Sequence, residues 1–135
     1  MAPLVLITGA SSGLGQALAL HYARAGWRLA LVARRGDSIK SWLNRDVISA
    51  DRYQIYSTDV TDTQAMQRMA HDCLARQGVP DVVIANAGIS IGVDSSRPED
   101  LDVMARILAT NVMGTAATLG PFIPAMVARG SGTLV

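Results

Sequence analysis

The stretch TGASSGLG at positions 8–15 separates a short apolar run from a helical pattern, and this context decides the fold. The run at residues 4–7 is wholly apolar, as in a strand that is buried on both faces. Glycines allow a tight turn and a close approach of the backbone to a ligand. The free N–H groups at the start of the next helix favour a negative charge. A strand, a glycine turn and a helix in this order predict a phosphate-binding turn rather than a plain βα connection.

Strand and helix patterns alternate along the rest of the chain. Further strands are predicted at residues 29–32, 53–57, 82–85 and from 133 onward, with a loop at 89–97. The first helix carries an apolar stripe, formed by Leu14, Ala17, Leu18, His21, Tyr22 and Ala25. This alternation predicts βαβ units with right-handed crossovers and a parallel sheet, in one α/β domain that spans residues 1–135.

Helix boundaries are predicted from capping residues. Asp37 or Ser38 is expected to cap the second helix, and Thr61 with Gln64 fits a capping box for the third. The last helix is expected to begin near Pro98, with a break near residues 120–121.

Composition excludes several classes of protein. Hydrophobic residues make up 50% of the chain and charged residues 17%, which is typical of a packed globular protein. A net charge of +1 argues against a dedicated nucleic-acid binder. The single cysteine, Cys73, excludes an internal disulfide and has no zinc-ligand pattern around it. No uninterrupted apolar run approaches the ~18 residues that span a bilayer. We expect a cytoplasmic protein with no metal, no nucleic acid and no membrane partner.

Four motifs in order support a family resemblance. The glycines at 9, 13 and 15 match the spacing TGxxxGxG, and Asp59-Val60, Asn86-Ala87-Gly88 and Asn111-Val112-Met113-Gly114 follow. The chain resembles the N-terminal half of a short-chain dehydrogenase/reductase of the classical type. The resemblance implies a Rossmann-like, doubly wound parallel sheet of order 3-2-1-4-5. It also implies a chain that is truncated at its fifth strand and lacks the catalytic part that would follow.

The resemblance also assigns roles to particular residues. It implies that Asp59 holds the adenine amino group, that the N–H of Val60 meets the adenine ring, and that Asn86 ties adjacent strands. Asn111 matches the helix asparagine of the catalytic tetrad, which supports a water leading to the catalytic lysine. A turn or cap role for Asp59 and a helix-packing role for Asn111 are the alternatives. The cofactor-binding residues expected are Gly9, Ser11, Ser12, Gly13, Leu14, Gly15, Arg34, Arg35, Asp59, Val60, Asn86, Ala87 and Gly88.

The cofactor is expected to be NADP(H) rather than NAD(H). An acid about 20 residues after the glycine turn binds the ribose 2′-hydroxyl, and an arginine there accommodates a 2′-phosphate. Ala33 occupies this position, and Arg34 and Arg35 follow it. A guanidinium binds phosphate in bidentate fashion, so Arg34 is the expected ligand, with Arg35, Ser11 and Ser12 as helpers. The alternative is that both arginines are simply solvated.

The residues that would complete the chemistry do not occur in residues 1–135. Four positions after Tyr22, Tyr53 and Tyr56 stand glycine, serine and valine, so no Tyr-xxx-Lys motif is present, and no GxSxG elbow indicates a serine hydrolase. We expect an NADP(H)-dependent oxidoreductase acting on a carbonyl or alcohol, a homo-oligomer, and no turnover by these residues alone. The alternatives are a non-catalytic NADP(H)-binding or sensing protein and a fold that no longer binds cofactor.

Overall fold

Five parallel strands form a single sheet in the computed structural model, which describes residues 1–135. The strands are β1 (Leu4–Thr8), β2 (Arg28–Ala33), β3 (Tyr53–Ser57), β4 (Val82–Ile84) and β5 (Thr133–Leu134). Their order across the sheet is β3-β2-β1-β4-β5. This is the Rossmann-like, doubly wound arrangement, and it confirms the predicted α/β fold and strand order.

Helices cover both faces of this sheet, because its central strand is apolar on both faces. Leu4 and Leu6 of β1 point into one core, and Val5 and Ile7 point into the other, with no exposed surface on any of the four. Such a strand needs a helical layer on each side. One layer consists of α1 (Gly13–Arg24) and α2 (Gly36–Arg45), and the other of α3 (Thr63–Arg76) and the last helical stretch.

The face of α1 that packs on the sheet differs from the predicted one. Gly15, Ala19 and Ala23 are buried at intervals of four residues, whereas Leu14 is 67% exposed and His21 is exposed. Small side chains let the helix lie close to the sheet, so larger apolar residues are displaced to its rim. Leu18 and Tyr22 of the predicted stripe do pack, partly buried, against this core, so the predicted face is wrong only in part.

The predicted helix caps are also wrong. Helix α3 begins at Thr63 with Asp62 as its N-cap, and the Asp62 carboxylate accepts a hydrogen bond from the N–H of Ala65 at 3.0 Å. Thr61 instead donates both its N–H and its hydroxyl to Asp59. Helix α2 begins at Gly36, whose N–H donates to Ser57 Oγ at 3.2 Å, so neither of the predicted residues caps it. A polar residue near a helix start predicts a cap within one or two positions, and neighbouring polar residues compete for that role.

The last helical stretch is divided into segments with different hydrogen bonding. It consists of α4 (Asp100–Leu108), a π-helical segment (Ala109–Met113), α5 (Gly114–Leu119), a 3-10 turn (Gly120–Phe122) and α6 (Ile123–Arg129). The 3-10 turn confirms the predicted break. The π-helical segment was not predicted, because one inserted residue leaves no signature in apolar spacing. Such segments occur often at functional sites.

The stretch Asp100–Arg129 is long and apolar enough, by length and composition, to cross a membrane. This differs from the expectation based on uninterrupted apolar runs. In this fold one face of the stretch packs on the sheet through buried Phe122 and Met126. Only 22% of its apolar window is buried inside the structure.

Cys73 lies in the core between α3 and the sheet and has no exposed surface. Burial raises the pKa of its thiol from 9.0 to about 11. Burial likewise raises the pKa of neighbouring Tyr56, whose hydroxyl donates to Gln77 Oε1 at 3.1 Å. Cys73 is therefore a small hydrophobic residue of the core.

We expect the Cys73 thiol to resist modification in the folded protein at neutral pH. A pKa two units higher lowers the thiolate fraction about 100-fold, and burial blocks access in addition. The folded state prefers the neutral thiol, so this contribution to the free energy of unfolding is present below about pH 9 and lost as the pH rises toward 11. Reaction with an aromatic disulfide reagent, with and without denaturant, measures this protection. Equal rates in the two conditions would contradict it.

Candidate functional site

A cavity of about 580 Å³ opens at the carboxyl ends of the strands. It lies between the neighbouring strands β1 and β4. At this point the strand order reverses, because β2 and β3 lie on one side of β1 whereas β4 and β5 lie on the other. Open α/β sheets bind ligands in the crevice at such a switch point. The predicted residues that line the cavity are Gly9, Ser11, Ser12, Arg34, Asp59, Val60, Asn86, Ala87 and Gly88.

The glycine turn presents unpaired backbone donors at the start of α1. Gly9 and Gly13 have φ values of +65° and +57°, which side chains other than glycine rarely adopt. The N–H groups from Ser11 to Gly15 donate no hydrogen bond within the protein, and the hydroxyl of Ser12 does not cap the helix. Such donors, together with the helix dipole, make an anion-binding site.

A close backbone contact explains Gly15, the last glycine of the turn. A Cβ at Gly15 would overlap the carbonyl oxygen of Gly9, whereas a Cβ at Gly13 would meet no atom within 4 Å. Asn86 Nδ2 donates to the carbonyl oxygens of Thr8 and Gly9 at 3.1 and 3.3 Å. This asparagine therefore ties the end of β4 to the turn after β1 and holds the turn in place.

Only one of the two carboxylate oxygens of Asp59 is hydrogen-bonded within the protein. One oxygen, Oδ1, accepts from the N–H and the hydroxyl of Thr61 at 2.9 and 2.8 Å. The other oxygen has no partner within the protein, and Asp59 lines the cavity. The N–H of Val60 is also unpaired. The turn role that was the alternative for Asp59 is thus real, but it uses only one of the two oxygens.

The two arginines after β2 lie in different places. Arg34 lines the cavity, and its guanidinium has no acidic partner within 4.0 Å and no hydrogen bond. Arg35 is the exposed N-cap residue of α2 and does not line the cavity. Leu14 does not line it either, because its side chain points to solvent. Gly13 and Gly15, at the start of α1, do not line it either.

Asn111 lies in the π-helical segment and binds Ile89, a residue of the loop after β4. Its Oδ1 accepts from the N–H of Ile89 at 2.9 Å, and its Nδ2 donates to the carbonyl of Ile89 at 2.8 Å. Both ends of the amide are therefore occupied, and the loop is fixed beside Gly88. These contacts are structural, since they hold the loop that forms the cavity wall.

Several residues that line the cavity were not predicted. They are Val32, Ala33, Thr58, Thr61, Ile89, Arg106, Ala109 and Thr110. Most of them flank a predicted residue at the end of a strand, so the strand ends themselves were the available signal. The exceptions are Arg106, Ala109 and Thr110, which line the cavity from the last helical stretch.

These groups fit a dinucleotide. The donors of the glycine turn suit a pyrophosphate, the free oxygen of Asp59 and the N–H of Val60 suit the edge of an adenine, and Arg34 suits a phosphate. Gly114 allows a close contact with Val60, since a Cβ at Gly114 would approach Val60 Cγ2 to 2.8 Å. The glycine of the fourth motif therefore lets α5 pack directly against Val60.

A family profile and several known proteins match this chain over nearly its whole length. The family profile described as short chain dehydrogenase matches residues 3–135. The NADPH-dependent pterin aldehyde reductase of Arabidopsis thaliana is 36% identical over 135 residues, covering 97% of this chain and 54% of the plant protein. A crystal structure of a short-chain dehydrogenase from Streptomyces avermitilis has a TM-score of 0.89 at 33% identity, covering 99% of this chain and 48% of that chain. A metagenomic short-chain oxidoreductase in complex with NADP has a TM-score of 0.84 at 27% identity, covering 98% and 59%.

The chain spans about half the length of the relatives that it matches. The four motifs fall within the matched residues, and the strand order agrees with the matched fold. The chain therefore belongs to the short-chain dehydrogenase/reductase family, a family of oxidoreductases with NADP-dependent members.

Proposed function

We propose that this protein is an NADP(H)-dependent oxidoreductase that interconverts a small carbonyl compound and its alcohol. The observation that carries the proposal is Arg34, an unpaired guanidinium that lines the cavity where β2 ends. No acidic residue occurs from position 30 to position 36 to bind a ribose 2′-hydroxyl in its place. The NADP complex of the metagenomic relative and the NADPH dependence of the plant relative support this choice.

Each part of the cofactor has its proposed partners. The N–H groups from Ser11 to Gly15 hold the pyrophosphate, with the Ser11 and Ser12 hydroxyls as additional donors. Asp59 and Val60 hold the adenine, and Arg34 holds the 2′-phosphate. Arg35 assists through its charge alone, since it does not line the cavity. When bound, the nicotinamide supplies or accepts the hydride.

The loop after β4 forms the proposed wall toward the nicotinamide end. Ala87 donates its N–H to the Thr8 hydroxyl at 3.1 Å, and Asn111 fixes Ile89. We propose that Asn111 positions this wall through both ends of its amide.

Calorimetric titration of the chain with NADPH and with NADH tests the proposal. We expect NADPH to bind more tightly, because a hydrogen bond to a charged group contributes about 1.5–3 kcal/mol, or roughly 10- to 100-fold in affinity. Equal affinities for the two cofactors would contradict the assignment of the 2′-phosphate to Arg34.

We also propose that the chain forms a dimer or a higher homo-oligomer. Leu108, Val112 and Met113 on the last helical stretch are 51%, 57% and 61% exposed, and β5 pairs on one side only. Exposed apolar patches and open strand edges favour pairing with another chain.

Leu108→Glu is expected to lower the average mass in light scattering at high protein concentration. Val47→Glu is the matched control, because Val47 is 87% exposed and lies outside this stretch. A wild-type chain that remains monomeric at high concentration would refute the proposal.

A further inference from the structure

One wall of the cavity carries a charge that the cofactor assignment leaves unused. Arg106, Ala109 and Thr110 line the cavity from α4 and the start of the π-helical segment. Their spacing of three and four residues places them on one helical face. Ala109 and Thr110 are small, so this wall leaves room for a flat ring, with the longer side chain of Arg106 beside it.

The guanidinium of Arg106 has no partner within the protein. It makes no hydrogen bond and lies more than 4.0 Å from every acidic oxygen, including those of Asp59. By contrast, Arg129 binds the carbonyls of Val79 and Pro80. Arg52 binds the carbonyls of Ala23 and Trp27. Arg106 therefore has no structural task that would account for its position at the cavity.

The wall that carries Arg106 reaches the proposed adenine site through Thr110. Gly114 packs against Val60, and Thr110 precedes Gly114 by four residues along the same helical stretch. Asp59, Val60 and Thr110 all line the cavity. Arg34 approaches the same end from the other side, at the end of β2.

We propose that Arg106 is a second arginine of the nucleotide site and that its planar guanidinium contacts the adenine ring. Guanidinium groups stack on aromatic faces, and such a contact depends on the ring rather than on the 2′-phosphate. This inference rests on the proposed function. It separates the roles of the two arginines, since Arg34 distinguishes NADPH from NADH whereas Arg106 strengthens the binding of both.

Titrations of Arg106→Leu with NADPH, NADH and reduced nicotinamide mononucleotide test the proposal. We expect NADPH and NADH to bind about two- to fivefold more weakly, by the same factor, because an exposed cation–π contact contributes about that much. The mononucleotide lacks adenine, so its weaker binding is expected to be unchanged. Arg68→Leu is the matched control, since Arg68 is exposed on α3, unpaired and outside the cavity.

The outcomes separate this inference from the proposed function. A loss confined to NADPH would assign Arg106 to the 2′-phosphate and overturn the inference. Unchanged affinities for both dinucleotides, or an equal loss in Arg68→Leu, would overturn it as well. In each case wild-type binding of NADPH leaves the proposed function standing. If the wild-type chain binds neither dinucleotide, the proposed function fails and the inference fails with it.

Discussion

A protein consisting of residues 1–135 is expected to show no turnover of carbonyl compounds with NADPH, even where it binds the cofactor. Transfer of a hydride to a carbonyl requires a proton for the developing alkoxide. General acid–base catalysis typically contributes about 10²- to 10⁴-fold, and stabilisation of a developing oxyanion is often the larger effect. No residue that lines the cavity provides a tyrosine or a lysine for either task.

The positions of the three tyrosines support this expectation. Tyr56 is buried, its hydroxyl donates to Gln77, and burial raises its pKa above the ordinary value. Tyr22 packs edge-on against Trp27, with ring centroids 4.8 Å apart. Tyr53 begins β3, at the end of the strand away from the cavity. None of them is placed to exchange a proton with a bound substrate.

The measurement follows NADPH absorbance in the presence of a panel of ketones, aldehydes and quinones. A family member that carries Tyr-xxx-Lys serves as the positive control, and cofactor binding is measured on the same preparation. Turnover by residues 1–135 that Asn111→Ala abolishes would show that the chemistry lies within these residues. Binding without turnover is also what a non-catalytic NADP(H)-binding protein would show.

Arg34→Ala is expected to remove most of the preference for NADPH. The affinity for NADPH should fall by about 10- to 100-fold, because the variant loses one or more hydrogen bonds to a charged phosphate. The affinity for NADH should change little, since it has no 2′-phosphate. Arg34→Lys retains the charge without the bidentate geometry. Its affinity for NADPH is expected to lie between those of the wild type and Arg34→Ala.

Calorimetry on the wild type and these variants measures the ratio of the two affinities directly. Arg35→Ala is the control, because Arg35 carries the same charge one residue later but does not line the cavity. It is expected to lower the affinity for NADPH much less. An equal loss in Arg34→Ala and Arg35→Ala would assign the preference to general electrostatic attraction instead.

Much of the fold follows from features that are local in sequence. The predicted bounds of β3 agree with the structure, and the other strands differ by one or two residues. Continuous apolar runs that end at glycine or proline identify strands in a parallel sheet, because both faces of each strand are buried. The ends of these strands then located most residues of the cavity, since ligands bind at the carboxyl edge of such a sheet.

The errors have a common physical cause, which is tertiary packing. Apolar spacing favoured Leu14 for the core of α1, but close packing on the sheet selects the small residues Gly15, Ala19 and Ala23. The position of Arg106 depends on how the last helical stretch crosses the sheet, and Gly114 sets that approach through its contact with Val60. Neither contact can be predicted from the spacing of apolar residues along the chain.

Trp42 connects α2 to the glycine turn through its indole. It is 2% exposed, and its Nε1 donates to the carbonyl of Ala10 at 3.0 Å. Indole emission responds to the local electric field, so an anion that binds at the turn is expected to change the emission of Trp42. Trp27, the other tryptophan, lies beside Tyr22, so substitution of Trp27 by phenylalanine leaves Trp42 as the only tryptophan. The chain thus contains its own optical probe for ligands at the glycine turn, with no added label.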